Sequence, residues 1–390
     1  MPSSFNRSPE PLPPFDFQPL GRVIFDTGAL RQLGTVVTQL GGSRVLLVTD
    51  PGLEATGHPQ RAQAYILEAG REVYVFDGVK ENPTECEVRA GVQFAEAHQI
   101  DLIVAIGGGS SMDCAKGINF LLTNGGRMID YKGFGKATRP MLPSVGVPTT
   151  AGTGSEAQCY ALITDESSHL KMACGDKKAA FRVALLDPEL TISQPRIVTA
   201  VTGIDAIAHA IESFVCLKRN PISQAYSLAA WEHLEPHYTR VLEEPHNLVS
   251  RSAMQVGAHF AGMAIESSML GVCHSCANPL TAHYGITHGV AIALMLPHVI
   301  RFNAPVAEPL YARLLQAVGL TYHTSAADRL AQRIAELIHA AQLPSRLRDC
   351  GVSQSILPLL AEEANEQWTA RFNPRSVQQS DIATIYHAAW

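Results

Sequence analysis

Short β-branched apolar runs recur at intervals of about thirty residues through the first half of the chain, and then they stop. "RVLLVTD" (44–50), "EVYVFDG" (72–78) and "DLIVAIGGG" (101–109) have the length and composition of strands. Helix-length segments separate them. One of these, "PTECEVRAGVQFAEAHQI" (83–100), carries Val88, Val92, Phe94 and Ala95 in a helical pattern. Strands alternating with helices read as βαβ units on a parallel sheet. Two more runs, "PSVGVPTT" (143–150) and "RVALLDP" (182–188), extend that layer.

Beyond "LLDPELTISQPR" the grammar is helical. "AADRLAQRIAELIHAAQLP" places Leu330, Ile334, Leu337 and Ile338 on one helix face, and "ISQAYSLAAWEHLEPHYTRVLEE" and "SRSAMQVGAHFAGMAIESS" look similar. The expected organisation is an α/β domain over residues 1–192 and an all-helical domain over 193–390. Proline-rich residues 1–15 are expected to form a flexible arm. A chain of 390 residues suits two such domains.

Composition narrows the function classes. A net charge of −6 without a long basic run excludes a nucleic-acid footprint. The longest apolar runs, such as "DLIVAIGGG", fall short of a membrane span, so no membrane partner is expected. "MPSSFNRSPEPLPPFDF" lacks the apolar core of a signal peptide. Eight scattered cysteines among apolar neighbours form no disulfide framework, and a cytoplasmic location follows as the expectation.

"DLIVAIGGGSSMDCAKGINFLL" orders a strand, three glycines, a serine and a helix. Gly107, Gly108, Gly109 and Ser110 make a candidate pyrophosphate seat, where the chain approaches closely and the helix N-terminus offers free N–H groups. This is not the G-x-G-x-x-G fingerprint. Asp50, ending the first strand, is the candidate acceptor for ribose hydroxyls, and its charge would repel a 2′-phosphate, favouring NAD over NADP. Asp113, in the first helical turn, is a further candidate cofactor residue, or simply a carboxylate that complements the helix dipole. "GVPTTAGTGSE" (146–156) adds a second polar loop at a strand end, as expected for ligands in open α/β sheets.

"TGIDAIAHAIES" (202–213) puts Asp205 and His209 at i and i+4, on one helix face. "GVCHSCANPLTAHYGITHG" (271–289) adds His274 and His288. On one unbroken helix these two would lie about 21 Å apart. Pro279 and Gly285 lie between them, and a bend there would let the imidazoles converge. One carboxylate and three imidazoles suit Fe2+, Zn2+ or another first-row divalent ion; four protein donors require a shell that expands for substrate, which iron accommodates. Cys273 and Cys276 have no second pair to complete a zinc knuckle and read as packing around His274. His259, His283 and His298 read as packing or surface residues, with His283 between the two candidate ligands.

In their order and over essentially its whole length, the signposts "VTD", "NPT", "GGGSSMDCAK", "PTTAGTGSE", "LDPELT", "TGIDAIAHAIES" and "HSCANPLTAHYGITHG" resemble the iron-containing (group III) alcohol dehydrogenase family. The resemblance implies a dehydroquinate synthase-like architecture, with an N-terminal dinucleotide-binding domain, a helical metal-binding domain and the metal between the two. It implies Asp205, His209, His274 and His288 as metal ligands and Asp50 with Asn82 near the ribose. It also implies Gly109 and Ser110 at the pyrophosphate, with Thr149, Thr150 and Thr153 lining the cofactor. It further implies Lys171 and Leu190 as cofactor contacts, although the segment "KMACGDKKAAFR" (171–182) departs from the usual pattern. Many members carry a histidine four residues after the third ligand, next to the nicotinamide and substrate; here that position is Asn278, which cannot titrate near neutral pH.

The implied activity is reversible hydride transfer between NAD(H) and a small primary alcohol or its aldehyde, in a homodimer or higher homo-oligomer. Glycerol dehydrogenase and maleylacetate reductase are the alternatives on the same fold, and dehydroquinate synthase is a related NAD and metal enzyme. A binding protein that has lost turnover is the alternative from another class.

Overall fold

The computed structural model describes residues 13–166 and 171–390, so most of the expected arm over 1–15 lies outside the described residues. The strands are β1 (Arg22–Phe25), β2 (Arg44–Val48), β3 (Glu72–Phe76), β4 (Leu102–Gly107), β5 (Gly133–Phe134), β6 (Ser144–Pro148), β7 (Tyr160–Thr164), β8 (Lys171–Gly175) and β9 (Val183–Leu186). Interleaved with them are α1 (Leu33–Gln39), α2 (His58–Glu68), α3 (Glu85–Ala97) and α4 (Gly109–Asn124). From residue 196 onward the chain is helical: α5 (Arg196–Val215), α6 (Pro221–Glu243), α7 (Leu248–Glu266), α8 (Val272–Tyr284), α9 (His288–Ala317), α10 (Ala326–Ala340), α11 (Leu357–Glu366) and α12 (Gln379–Ala389).

Six strands form one parallel sheet in the order β1-β9-β6-β4-β2-β3. Both faces are covered, which explains the unbroken apolar runs in the sequence. Val45, Leu47, Leu102, Val104 and Ile106 face α1 and α2. Leu46, Val48, Ile103 and Ala105 face α3 and α4. The connections leaving β2 and β4 pass to opposite faces, so a crevice opens between the carboxyl ends of these two neighbours. Asp50 and the three glycines stand at its two lips.

Two features differ from the sequence expectation. β1 is a four-residue edge strand with one buried side chain, Ile24, and carries too little apolar pattern to be read. A second small sheet, ordered β5-β8-β7, hangs off the main layer, with β7 and β8 antiparallel. Its strands have two to five residues; β5 buries neither of its two, β7 buries alternate positions, and β8 buries Met172, Cys174 and Gly175.

The helical half has its own core. α5 runs through its middle, buried from Thr199 to Val215 except at Thr202. α5 and α9 are also long and apolar enough to cross a membrane, with mean hydropathy 1.3 and 1.5, although no uninterrupted apolar run announced this. Buried shares of 83% and 61% within those windows are those of core helices.

At the start of α3, Thr84 and Glu87 form a capping box, with Glu87 accepting from the Thr84 N–H at 3.0 Å and hydroxyl at 2.7 Å. Burial works against the Glu87 carboxylate, but these bonds and Lys80 hold it at about 2, below its ordinary 4.5. Its contribution to stability is therefore present above pH 4.5 and lost as pH falls through about 2. Replacing Glu87 by Gln is expected to flatten the acid limb of a stability–pH profile in that window, measured by urea unfolding.

Candidate metal centre and cofactor cleft

Four side chains from three helices meet in the helical half beside the cleft. Asp205 and His209 come from adjacent turns of α5, His274 from the first turn of α8, and His288 is the first residue of α9. The Nε2 atoms of His209, His274 and His288 lie 3.4, 3.4 and 3.6 Å from the same oxygen, Asp205 Oδ1. Bonds of about 2.1 Å at tetrahedral angles place donor atoms about 3.4 Å apart. Asp205 Oδ1 and His274 Nε2 are buried without a hydrogen-bond partner, so polar groups face one another across a gap that a cation would fill. The donor set and its spacing fit a first-row divalent ion.

The chain break that brings His288 round is at Gly285, not at Pro279. Pro279 sits buried inside α8 without ending it, whereas Gly285 takes a left-handed φ of 62° and closes the helix. α9 then starts against α5 so closely that a Cβ on Gly289 would collide with the Val201 carbonyl.

Electrostatics keep the set ready for a cation. Burial opposes ionisation of Asp205, but the three imidazoles, His209 foremost, hold its carboxyl well below the usual range. Burial lowers His209 to about 4 and His288 to about 3, so both stay neutral with lone pairs available. His274 is the exception. Burial opposes its protonation, yet Asp205 and Glu212 raise it to about 9 when no cation competes.

Glu212 was not anticipated from the sequence. Its Oε2 lies 2.5 Å from His274 Nδ1, and its Oε1 accepts from the Cys273 N–H at 2.8 Å. A carboxylate on Nδ1–H fixes the tautomer and aims the Nε2 lone pair inward. The available signal was position: Glu212 is seven residues after Asp205 and three after His209, along the same helix.

The proposed cofactor residues gather at the crevice. Asp50 Oδ2 accepts from the Ser111 hydroxyl at 3.0 Å, linking the two lips; Ser111, a second missed residue, is the neighbour of the anticipated Ser110. Ser110 Oγ accepts from the Asn82 N–H at 3.2 Å. Gly108 caps α4 from outside, and a Cβ on Gly109 would lie 2.7 Å from the Thr153 methyl. Thr150 stands over Gly108, and the Thr149 N–H donates to the Gly107 carbonyl at 2.9 Å. Lys171 is exposed at the start of β8, with the Asp113 and Asp205 carboxylates among the charges that act on it.

Two residues lie elsewhere than expected. Asp113 falls beyond the first turn of α4 and points inward, accepting from the Ser155 hydroxyl at 2.7 Å, 3.9 Å from buried Lys116. Leu190 is wholly buried in the core beneath α1 and α2. His283 pairs with Glu363 at 2.8 Å on the exposed end of α8. Asn278 donates to Gln367 Oε1 at 3.1 Å. Cys273 and Cys276 are buried and free, as packing residues would be.

Replacing Glu212 by Gln is expected to lower metal affinity about 10- to 100-fold at unchanged helix content, read by metal titration with circular dichroism. Gly289→Ala, which must displace the start of α9 and with it His288, is expected to lower bound metal per chain in elemental analysis of the purified variant.

Known proteins are similar to this chain in sequence and fold. The sequence profile of the iron-containing alcohol dehydrogenases matches residues 21–188, and that of the family's C-terminal region matches 199–390. The chain is 34% identical over 382 residues to 1,3-propanediol dehydrogenase of Klebsiella pneumoniae, covering 96% of this chain and 99% of that protein. It is 33% identical over 366 residues to the NAD-dependent methanol dehydrogenase of Bacillus methanolicus, covering 93% and 96%. The crystal structure of a 1,3-propanediol oxidoreductase superposes with a TM-score of 0.94 at 34% identity, covering 97% of this chain and 100% of that one. The chain belongs to the iron-containing alcohol dehydrogenase family.

Proposed function

We propose that this protein is a metal-dependent NAD(H) alcohol dehydrogenase and aldehyde reductase acting on small primary alcohols and their aldehydes, with Fe2+ as its ion and Zn2+ the alternative. The observation that carries this reading is the approach of three imidazole Nε2 atoms to one buried carboxylate oxygen, 3.4–3.6 Å away, beside a crevice suited to a dinucleotide. When bound, the cation supplies Lewis acidity toward the alcohol oxygen and NAD supplies the hydride acceptor.

The side chains divide the remaining work. Asp205, ionised, and His209 and His288, neutral, offer one anionic and two uncharged donors, and Glu212 holds His274 with its lone pair toward them. The free N–H groups opening α4 at Gly109 and Ser110 receive pyrophosphate, while Asp50 accepts from ribose hydroxyls. The loop 149–153 lines the nicotinamide end. A Cβ on Gly152 would lie 2.5 Å from Thr202 Cβ, so this loop packs directly on the helix carrying Asp205 and His209. That contact supports a short, fixed separation between cofactor and metal.

The amide of Asn278 is engaged with Gln367 and does not titrate; His283 is committed to Glu363. The alcohol proton therefore leaves toward solvent past His288, whose side chain is 28% exposed while those of Asp205, His209 and His274 are at most 7% exposed. We also propose two domains, 1–192 and 193–390, and a cytoplasmic setting, supported by eight free cysteines. The open β1 edge, with Val23 and Phe25 exposed, supports a homodimer or higher homo-oligomer.

His274→Ala is expected to lose bound metal and alcohol-dependent NADH formation together, while still binding NADH by fluorescence. Full turnover in a metal-free His274→Ala protein would contradict the mechanism.

A further inference from the structure

The small sheet, absent from the sequence expectation, meets the helical half where Tyr160 of β7 contacts Trp368. Tyr160, Leu162 and Thr164 alternate along β7 with Ala161 and Ile163, which are fully buried. Tyr160 and Leu162 therefore share the outward face. The Tyr160 ring lies flat over Gly175 of β8, where a Cβ would collide with it. Phe134 flanks it on one side, with ring centroids 5.9 Å apart. Trp368, from the helical half, meets it on the other at 6.2 Å. The Tyr160 backbone is fixed as well, since its carbonyl accepts from buried Lys116 Nζ at 2.8 Å.

Trp368 is equally well placed. Its neighbours on both sides are tied to α8, the helix that carries His274. Thr369 Oγ1 lies 2.7 Å from the hydroxyl of Ser275, the residue after His274. Gln367 accepts from Asn278, one turn beyond His274. A continuous wall thus runs from the metal helix through Asn278, Gln367 and Trp368 to Tyr160 on the opposite side. Despite this support, Trp368 is 41% and Leu162 39% exposed, large apolar surfaces held in place without a cover.

Resting on the dehydrogenase reading above, we infer that Trp368, Tyr160 and Leu162 form the subsite for the substrate's carbon substituent, and that this substituent is apolar and aryl-sized. Two rings tilted 35° to one another offer faces and edges to a third ring, an arrangement aromatic groups favour. The polar part of the wall, Asn278 with Gln367, is satisfied internally and offers no charge to a carboxylate or ammonium. Benzyl-type alcohols and their aldehydes match this surface, whereas the second hydroxyl of a diol would have to be desolvated against it.

The test uses the iron-loaded full chain and compares kcat/KM for benzyl alcohol, ethanol and 1,3-propanediol in the wild type, Trp368→Ala and Trp368→Phe. The wild type is expected to favour benzyl alcohol over both others. Trp368→Ala is expected to lose about tenfold or more on benzyl alcohol while staying within about threefold on ethanol, and Trp368→Phe to retain most of the preference. An equal fall on benzyl alcohol and ethanol, or a wild type that favours 1,3-propanediol, would overturn the inference. Ethanol oxidation without preference for benzyl alcohol rejects the subsite alone; no oxidation of any of the three alcohols rejects the dehydrogenase reading with it.

Discussion

Everything in the helical half is arranged around one buried carboxylate. Asp205 Oδ1 has three imidazole nitrogens within 3.6 Å and no hydrogen-bond partner of its own. Burying such a group without compensation is costly, and the cost of an unpaired ion rises steeply as water is excluded. A cation at the centre of the four donors would remove that penalty. It would also explain why α5, α8 and α9 are packed tightly enough to require glycine at 289, where any side chain would collide with Val201.

The same constraint reaches the cofactor side. The loop after β6 is clamped from both halves of the molecule. Lys116, on the helix that opens with the glycine seat, donates to the carbonyl and hydroxyl of Ser155 at 2.7 and 2.9 Å. From the other half, a Cβ on Gly154 would lie 2.7 Å from the Cα of Gly262 on α7. The backbone of this loop is thus held between the phosphate-facing helix and the metal-bearing helices. The reacting groups are positioned by packing between two cores.

Much of this was legible in the chain because strong local patterns and local geometry agree. The buried strands announced themselves as continuous apolar runs, since residues such as Leu46 and Leu47 are covered on opposite faces. The pairing of Asp205 with His209 follows from helical spacing alone. What escaped depended on long-range placement. Glu212 gains its role only when His274, 62 residues away, packs against it. Asp113 looked like a dipole partner until Lys116 and Ser155 proved to draw it inward. The small sheet was invisible because its strands are short and irregularly buried, and Pro279 suggested a break that Gly285 makes instead.

The central claim is most directly tested by anomalous X-ray scattering at the iron absorption edge from crystals of the iron-loaded protein. One peak per chain is expected, about 2.0–2.3 Å from an Asp205 carboxylate oxygen and from the Nε2 atoms of His209, His274 and His288. A peak outside this set, or none in protein that retains alcohol-dependent NADH formation, would contradict the account.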